Sequence, residues 1–339
     1  MEGKLIDIVR NAYAKKHRLV APLVGFPGVK MTGSTIKLAQ QNCKEHFKIL
    51  KELYNTFKPD IIFPLMDLSV EANALGRYTV FPKDESATVV FDSFNIKEIE
   101  ELENIDIKFD GRVLGYVETL QLMNNGLPES VFKGAYVTGP YTLAALLMGA
   151  EEAAISTILK PEQLHLLCDL STKKILDYVE SLVSAGAQLI CILEPSAVML
   201  GPAHFQEFSM KYVQTISEYC RNTGTASVYH VCGNSMHLIE KMCESGVDAL
   251  SLDSKEAGVN LTEVAERIHD HIVLIGNVSP IGSILNAKKE KVEDEVCTLL
   301  KSMERHPNFI LSTGCDLPQE TPLENILAFM DAGKNYRIN

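Results

Sequence analysis

Short apolar runs recur along this chain, each stopped by Gly, Pro, Asp or Asn and followed by a stretch of helical periodicity. Strands alternating with helices in this way join as parallel neighbours, because each crossover must return the chain to its starting edge. The runs are Leu19 to Gly25, Ile61 to Leu65, Gly134 to Thr138, Gln188 to Leu193, Thr225 to Val231, Asp248 to Leu252, Ile272 to Ile275 and Phe309 to Leu311. Helices are expected over 35–57, 114–124, 141–159, 161–185, 202–221, 236–245, 260–269 and 289–304. An amphipathic helix over 2–17 opens the chain. A helix from Leu323, capped by Thr321 with Pro322 at its first position, closes it. Residues 80–112 break the rhythm, and a hairpin from Tyr78 to Phe91 plus a charged helix is expected there as an insertion over one face. Eight such units predict an α/β fold, a (β/α)8 TIM barrel, with 1–339 forming one domain. The alternative is an open doubly wound sheet. Against it, no G-x-G-x-x-G follows the first run and no G-x-x-x-x-G-K-[ST] occurs.

In a barrel of this kind the active site lies at the C-terminal strand ends. Asp67, Glu194, His230, Cys232, Asp253, Asn277 and Cys315 all fall at or just past such ends. In Tyr229-His230-Val231-Cys232-Gly233 the period of two places His230 and Cys232 on one face, about 6–7 Å apart along the backbone. Cys315, after Phe309-Ile310-Leu311, supplies a third ligand of the same strand-then-glycine setting. One imidazole and two thiolates suit zinc, and three protein ligands leave a fourth position open, as in catalytic zinc sites. Taken alone, the spacing also fits free cysteines acting as small buried hydrophobes. His204, His237, Cys43, Cys168, Cys191, Cys220, Cys243 and Cys297 are read that way, as packing or surface residues.

A net charge of −12 over 339 residues excludes a nonspecific nucleic-acid binder and a basic membrane-docking face. Met1 to Arg10 is no secretory signal, and the apolar stretch from Tyr141 to Ala150 is too short to span a bilayer. The eight cysteines follow no small-scaffold pattern, which points to a reducing cytoplasm.

Several of these segments also resemble one family. Phe63-Pro64-Leu65-Met66-Asp67-Leu68-Ser69, Gly139-Pro140-Tyr141-Thr142, Glu194-Pro195-Ser196-Ala197, His230-Val231-Cys232-Gly233-Asn234, Gly276-Asn277-Val278 and Gly314-Cys315-Asp316 follow the order of the uroporphyrinogen decarboxylase superfamily, from about residue 18 onward. Within it, His-x-Cys-Gly and Gly-Cys-Asp-Leu-Pro-x-Glu-Thr-Pro look like the methylcobamide:coenzyme M methyltransferases. That branch implies a TIM barrel holding zinc through His230, Cys232 and Cys315. By the same likeness, Asp67 matches the carboxylate that faces the pyrrole nitrogens in the decarboxylases. One departure bears on decarboxylation. The family's arginine-rich segment after the first strand has no counterpart in Val24 to Lys30, which would leave a polyanionic tetrapyrrole without counter-charges.

The resemblance therefore implies methyl transfer from a corrinoid (methylcobalamin) carried by a partner protein to a small thiol such as coenzyme M, whose sulfonate would need a cation. No D-x-H-x-x-G corrinoid signature occurs in the chain, so the corrinoid protein would dock over the barrel mouth. Asp67 and Glu194 are the candidate catalytic carboxylates, either taking the thiol proton or ordering a loop. Glu194 is also a candidate fourth ligand. Asp253 and Asn277 are candidate cofactor-binding residues lining the mouth. The competing activities are demethylation of a small substrate onto a corrinoid protein, uroporphyrinogen decarboxylation, and non-catalytic tetrapyrrole binding.

Overall fold

The computed structural model describes residues 4–90 and 98–338. Seven parallel strands form a curled sheet with helices outside it. They are β1 (Ile61–Ile62), β4 (Phe132–Thr138), β5 (Leu189–Leu193), β6 (Ala226–Val231), β7 (Ala249–Leu252), β8 (Val273–Val278) and β9 (Phe309–Thr313), paired in that order. The run expected as the first strand is reduced to a bridge between Val20 and Leu311 of β9. Its position is still that of a strand. On one side Ala21 N–H donates to Leu311 O at 2.8 Å and Leu311 N–H to Leu19 O at 3.0 Å; on the other, Asp60 N–H donates to Val20 O at 2.9 Å. Val20 N–H is taken by the Asp60 carboxylate at 2.7 Å, a side chain standing in for a ladder rung. Pro22 has no N–H and stops the ladder there. Beyond it Leu23 N–H turns to the Thr313 hydroxyl at 3.0 Å.

Because helices cover the outer face, the strands are buried on both faces and β4, β5, β7, β8 and β9 have no exposed residue. Alternate residues fill the lumen, among them Ala21, Ile61, Tyr136, Cys191, Val228, Ala249, Ile275 and Ile310. The other set packs against the helices in a larger continuous layer.

The hairpin is present as β2 (Thr79–Val80) paired antiparallel with β3 (Thr88–Val89), and the charged helix as Glu98–Glu103. The part of this insertion over 91–97, including Phe91, lies outside the described residues. Three expected helices are interrupted. The one over 35–57 breaks into Ile36–Gln41 and Cys43–Phe57, because Asn42 leaves the helix to cap the second piece through Lys44 N–H and Glu45 N–H. That over 141–159 breaks at Gly149, whose φ of 95° suits glycine, and bends by 108°. That over 202–221 contains a π-turn at Gln206–Met210. At the closing helix Pro322, not Thr321, occupies the cap position, and the Thr321 hydroxyl is buried without a partner among the described residues. No single helix among the described residues is long and apolar enough to cross a membrane.

Asp60 holds the seam between the first segment and β1, so Asp60→Ala should lower stability by about 2 kcal/mol, the cost of a buried N–H left unpaired. Asp60→Asn, which keeps an acceptor, should lose less. Urea denaturation of the two variants checks the order.

Candidate metal centre

His230 faces the lumen from β6, on the same side as Val228, and is fully buried. Cys232 follows at the strand end and Cys315 follows β9, both half-buried. His230 Nε2 lies 3.0 Å from Cys232 Sγ and 3.9 Å from Cys315 Sγ, and the sulfurs are 3.7 Å apart. Among the described residues these three form the group whose donor atoms all lie within 4.8 Å of one another. The sulfur–sulfur separation fits one tetrahedral ion, since Zn–S bonds of about 2.3 Å place two sulfurs about 3.8 Å apart. The hydrogen bond with Cys232, then burial, push the Cys315 thiol well above the usual thiol range. A cation is what two such sulfurs need in order to ionise together.

Ser251, paired with His230 in the β6–β7 register, orients the imidazole: its Oγ is 3.0 Å from Nδ1. A proton held there leaves the Nε2 lone pair facing the sulfurs. Asp253 fixes the turn that follows Cys232. Its carboxylate accepts Gly233 N–H at 2.7 Å and Ser254 N–H at 2.6 Å. Gly314 presses on Asp253's own turn, where a Cβ would come within 2.6 Å of Ser254 N. Asn277 donates from Nδ2 to Asp253 O at 2.8 Å and Val259 O at 3.1 Å, holding that turn from behind. Asp316, beside Cys315, accepts Gly25 N–H at 3.2 Å through Oδ1, while Oδ2 is buried without a partner among the described residues.

The other two carboxylates have different surroundings. Asp67 accepts Ser69 N–H and Oγ–H at 2.9 and 2.6 Å through Oδ1. Through Oδ2 it accepts Tyr116 O–H at 2.9 Å and pairs with the Arg112 guanidinium. Arg112 also reaches the Ser69 hydroxyl at 3.1 Å and lies over the Phe81 ring. Glu194, fully buried, accepts Tyr141 N–H at 3.0 Å, Thr142 N–H at 2.7 Å and the Ser209 hydroxyl at 2.9 Å. It therefore satisfies the first turn of helix Pro140–Met148, and the π-turn delivers Ser209 to it. Burial raises the Glu194 carboxyl, with these hydrogen bonds acting the other way. No oxygen of Asp67, Glu194 or Asp253 belongs to the His230, Cys232, Cys315 group.

Arg112, Tyr116, Ser251, Asp316 and Glu71 were not singled out from the sequence as site residues. Only Arg112 and Tyr116 left a signal, an i,i+4 pair opening the helix Gly111–Gly126. Glu71 is buried with its carboxylate on Thr138 N–H and Oγ–H, at 2.7 and 2.8 Å. Burial pushes it up to about 7 from an ordinary 4.5; the Thr138 bonds lower it and Asp67 raises it. A carboxyl raised by folding stabilises fully below its unfolded value and loses that contribution as pH rises through the folded one. Glu71 should thus contribute a stability loss on the order of 3 kcal/mol between about pH 4.5 and pH 7. Asp316, also pushed up to about 7 by burial, adds slope in the same window. The measurement is therefore the difference between the parent chain and Glu71→Gln: urea midpoints of the variant should fall less with rising pH.

Comparison with known proteins agrees with this geometry. The chain is 27% identical over 304 residues to the uroporphyrinogen decarboxylase of Prochlorococcus marinus (strain MIT 9515), spanning 87% of this chain and 85% of the relative. It is 26% identical over 301 residues to that of Synechococcus sp. (strain CC9605), spanning 85% and 82%. Among solved structures, a methyltransferase from Methanosarcina mazei superposes with a TM-score of 0.85 at 22% identity, covering 97% of this chain and 98% of that one. A B12-independent methionine synthase from Shewanella sp. W3-18-1, in complex with selenomethionine, has a TM-score of 0.58 at 12% identity, covering 86% of each chain. These likenesses establish the barrel. Since the profile of uroporphyrinogen decarboxylase (URO-D) matches residues 28–336, nearly the whole of it, the chain belongs to the URO-D family.

Proposed function

We propose that this chain is a zinc-dependent methyltransferase that moves a methyl group from a corrinoid on a partner protein to a thiol such as coenzyme M. The observation that carries this reading is the His230, Cys232, Cys315 group, three soft donors converging at the mouth. The fold shared with a methyltransferase supports it. Those three residues would hold zinc, whose open position would supply a site at which a bound thiol gives up its proton. The protein's own contribution is positional. Ser251 sets the imidazole, Asp253 holds the turn after Cys232, and Asn277 braces Asp253 from behind. Glu194 fixes helix Pro140–Met148 beside the end of β5. Asp67 aligns Arg112 and Tyr116 beyond the end of β1.

Cys232→Ala and Cys315→Ala should each lose zinc and methylcobalamin:thiol activity together while the far-ultraviolet circular dichroism stays unchanged. Full zinc occupancy in both would overturn the ligand assignment. In the parent protein, X-ray absorption should gain one sulfur at about 2.3 Å from zinc when the thiol is added. An unchanged sulfur count with a thiol that is nonetheless methylated would place activation away from the metal.

Uroporphyrinogen decarboxylation is the second reading, favoured by the names of the sequence relatives. Val24 to Lys30 offers no arginine for the substrate's carboxylates, and the reaction gives the two sulfurs nothing to do. Incubation with uroporphyrinogen should yield no coproporphyrinogen; turnover at an ordinary enzymatic rate would replace methyl transfer with decarboxylation.

A further inference from the structure

A cavity of about 350 Å³ lies between helices Ile36–Gln41, Cys43–Phe57 and Gly111–Gly126, and none of the three candidate metal ligands lines it. Its wall contains Gln40, 3% exposed, with neither amide atom partnered among the described residues. A buried carboxamide with both ends unused is costly in a folded chain and normally marks a missing partner. Two further donors belong to the same wall. Arg112 Nε is buried and unpartnered. His46 Nε2 accepts Leu65 N–H at 2.9 Å, which leaves the ring proton on Nδ1. Burial lowers His46 to about 3, so the ring stays neutral. Helices of 15 and 16 residues begin at this wall, their first N–H groups already taken by the Asn42 and Asp110 side chains.

The unused groups are mostly donors, so the occupant must be rich in acceptors. Its charge is bounded from the other side. Arg112 is already neutralised by Asp67, and Asp110 and the Cys43 partner Glu118 stand at the rim. A dianion would be repelled by these carboxylates; a single negative charge, shared by Gln40 Nε2, Arg112 Nε and His46 Nδ1, is the most this wall would take. Gln40 still offers one acceptor, which calls for a hydroxyl on the ligand. The wall has room for it, since a Cβ built on Gly111 or Gly115 would meet nothing within 4 Å.

We propose that this cavity binds a small hydroxy monocarboxylate, its carboxylate taken by Gln40 Nε2, Arg112 Nε and His46 Nδ1, its hydroxyl donating to Gln40 Oε1. The site stands apart from the methyl-transfer reading, and its occupant touches the mouth only through Arg112 and Asp67.

Cys43 lines the cavity, so its rate of maleimide labelling, resolved by peptide mass mapping, reports occupancy. Millimolar lactate should slow labelling of Cys43 several-fold while exposed Cys297 is unaffected. Lactamide and inorganic phosphate should protect little. Gly115→Leu, which fills the space, and Gln40→Leu, which removes the amide, should abolish protection with circular dichroism unchanged. Should Gly115→Leu fail to fold, Gly115→Ser narrows the same space and should weaken protection. Absence of protection by lactate, equal protection by lactamide, or protection that persists in both Gln40→Leu and the folded Gly115 variant would each overturn the assignment.

Discussion

A parallel sheet with eight positions must close or leave an edge, and this one closes through the three residues Leu19–Ala21. Their backbone groups bond Leu311 on one side and Asp60 on the other. Everything at the mouth depends on that seam. Cys315 rides on the strand that accepts it, Gly25 continues it to Asp316, and β1 beyond it leads to Asp67. A closed barrel gives each strand end a fixed place on one rim. Residues as distant in sequence as His230 and Cys315 can therefore bring an imidazole and a thiol within 4 Å.

The polar residues of the rim divide into two sets. His230, Cys232 and Cys315 have atoms turned toward one another. Asp253, Asn277, Glu194 and Asp67 turn theirs into backbone amides and carbonyls or into paired side chains. Loops that cross the end of a barrel carry backbone groups which the ladder does not satisfy, and a buried carboxylate accepts two or three such amides at once. Glu194 shows the geometric demand. Gly139 must be glycine-small beside it, since a Cβ there would stand 2.3 Å from the carboxyl carbon.

Much of this was legible in the sequence because it follows from period and position. The alternation fixed the parallel sheet, and the His-x-Cys spacing with a distant Cys after another apolar run marked the cluster. What the sequence hid depends on tertiary partners. Asn42 reads as an ordinary helical position until its side chain is seen capping the next turn. Ser251 is one polar residue in an apolar strand, meaningful only through the register that sets it beside His230. Arg112 and Glu71 sit in stretches of mixed polarity, and their burial comes from packing against Asp67 and Thr138. The first strand lies where its apolar run predicts but is shorter, because Pro22 cuts its ladder.

The Asp67–Arg112 pair joins residues 45 apart, and the segment between them contains the whole insertion. Its two ends are pinned at the rim by one ion pair. Lengthening a loop whose ends are already held is cheap, about 0.6 kcal/mol for each doubling. Extra length at the exposed hairpin tip, residues 83–86, would therefore leave the rim in place. The rest of the segment has no such freedom, because Glu71 holds Thr138 and Val70, Ala72 and Leu75 are buried in the core.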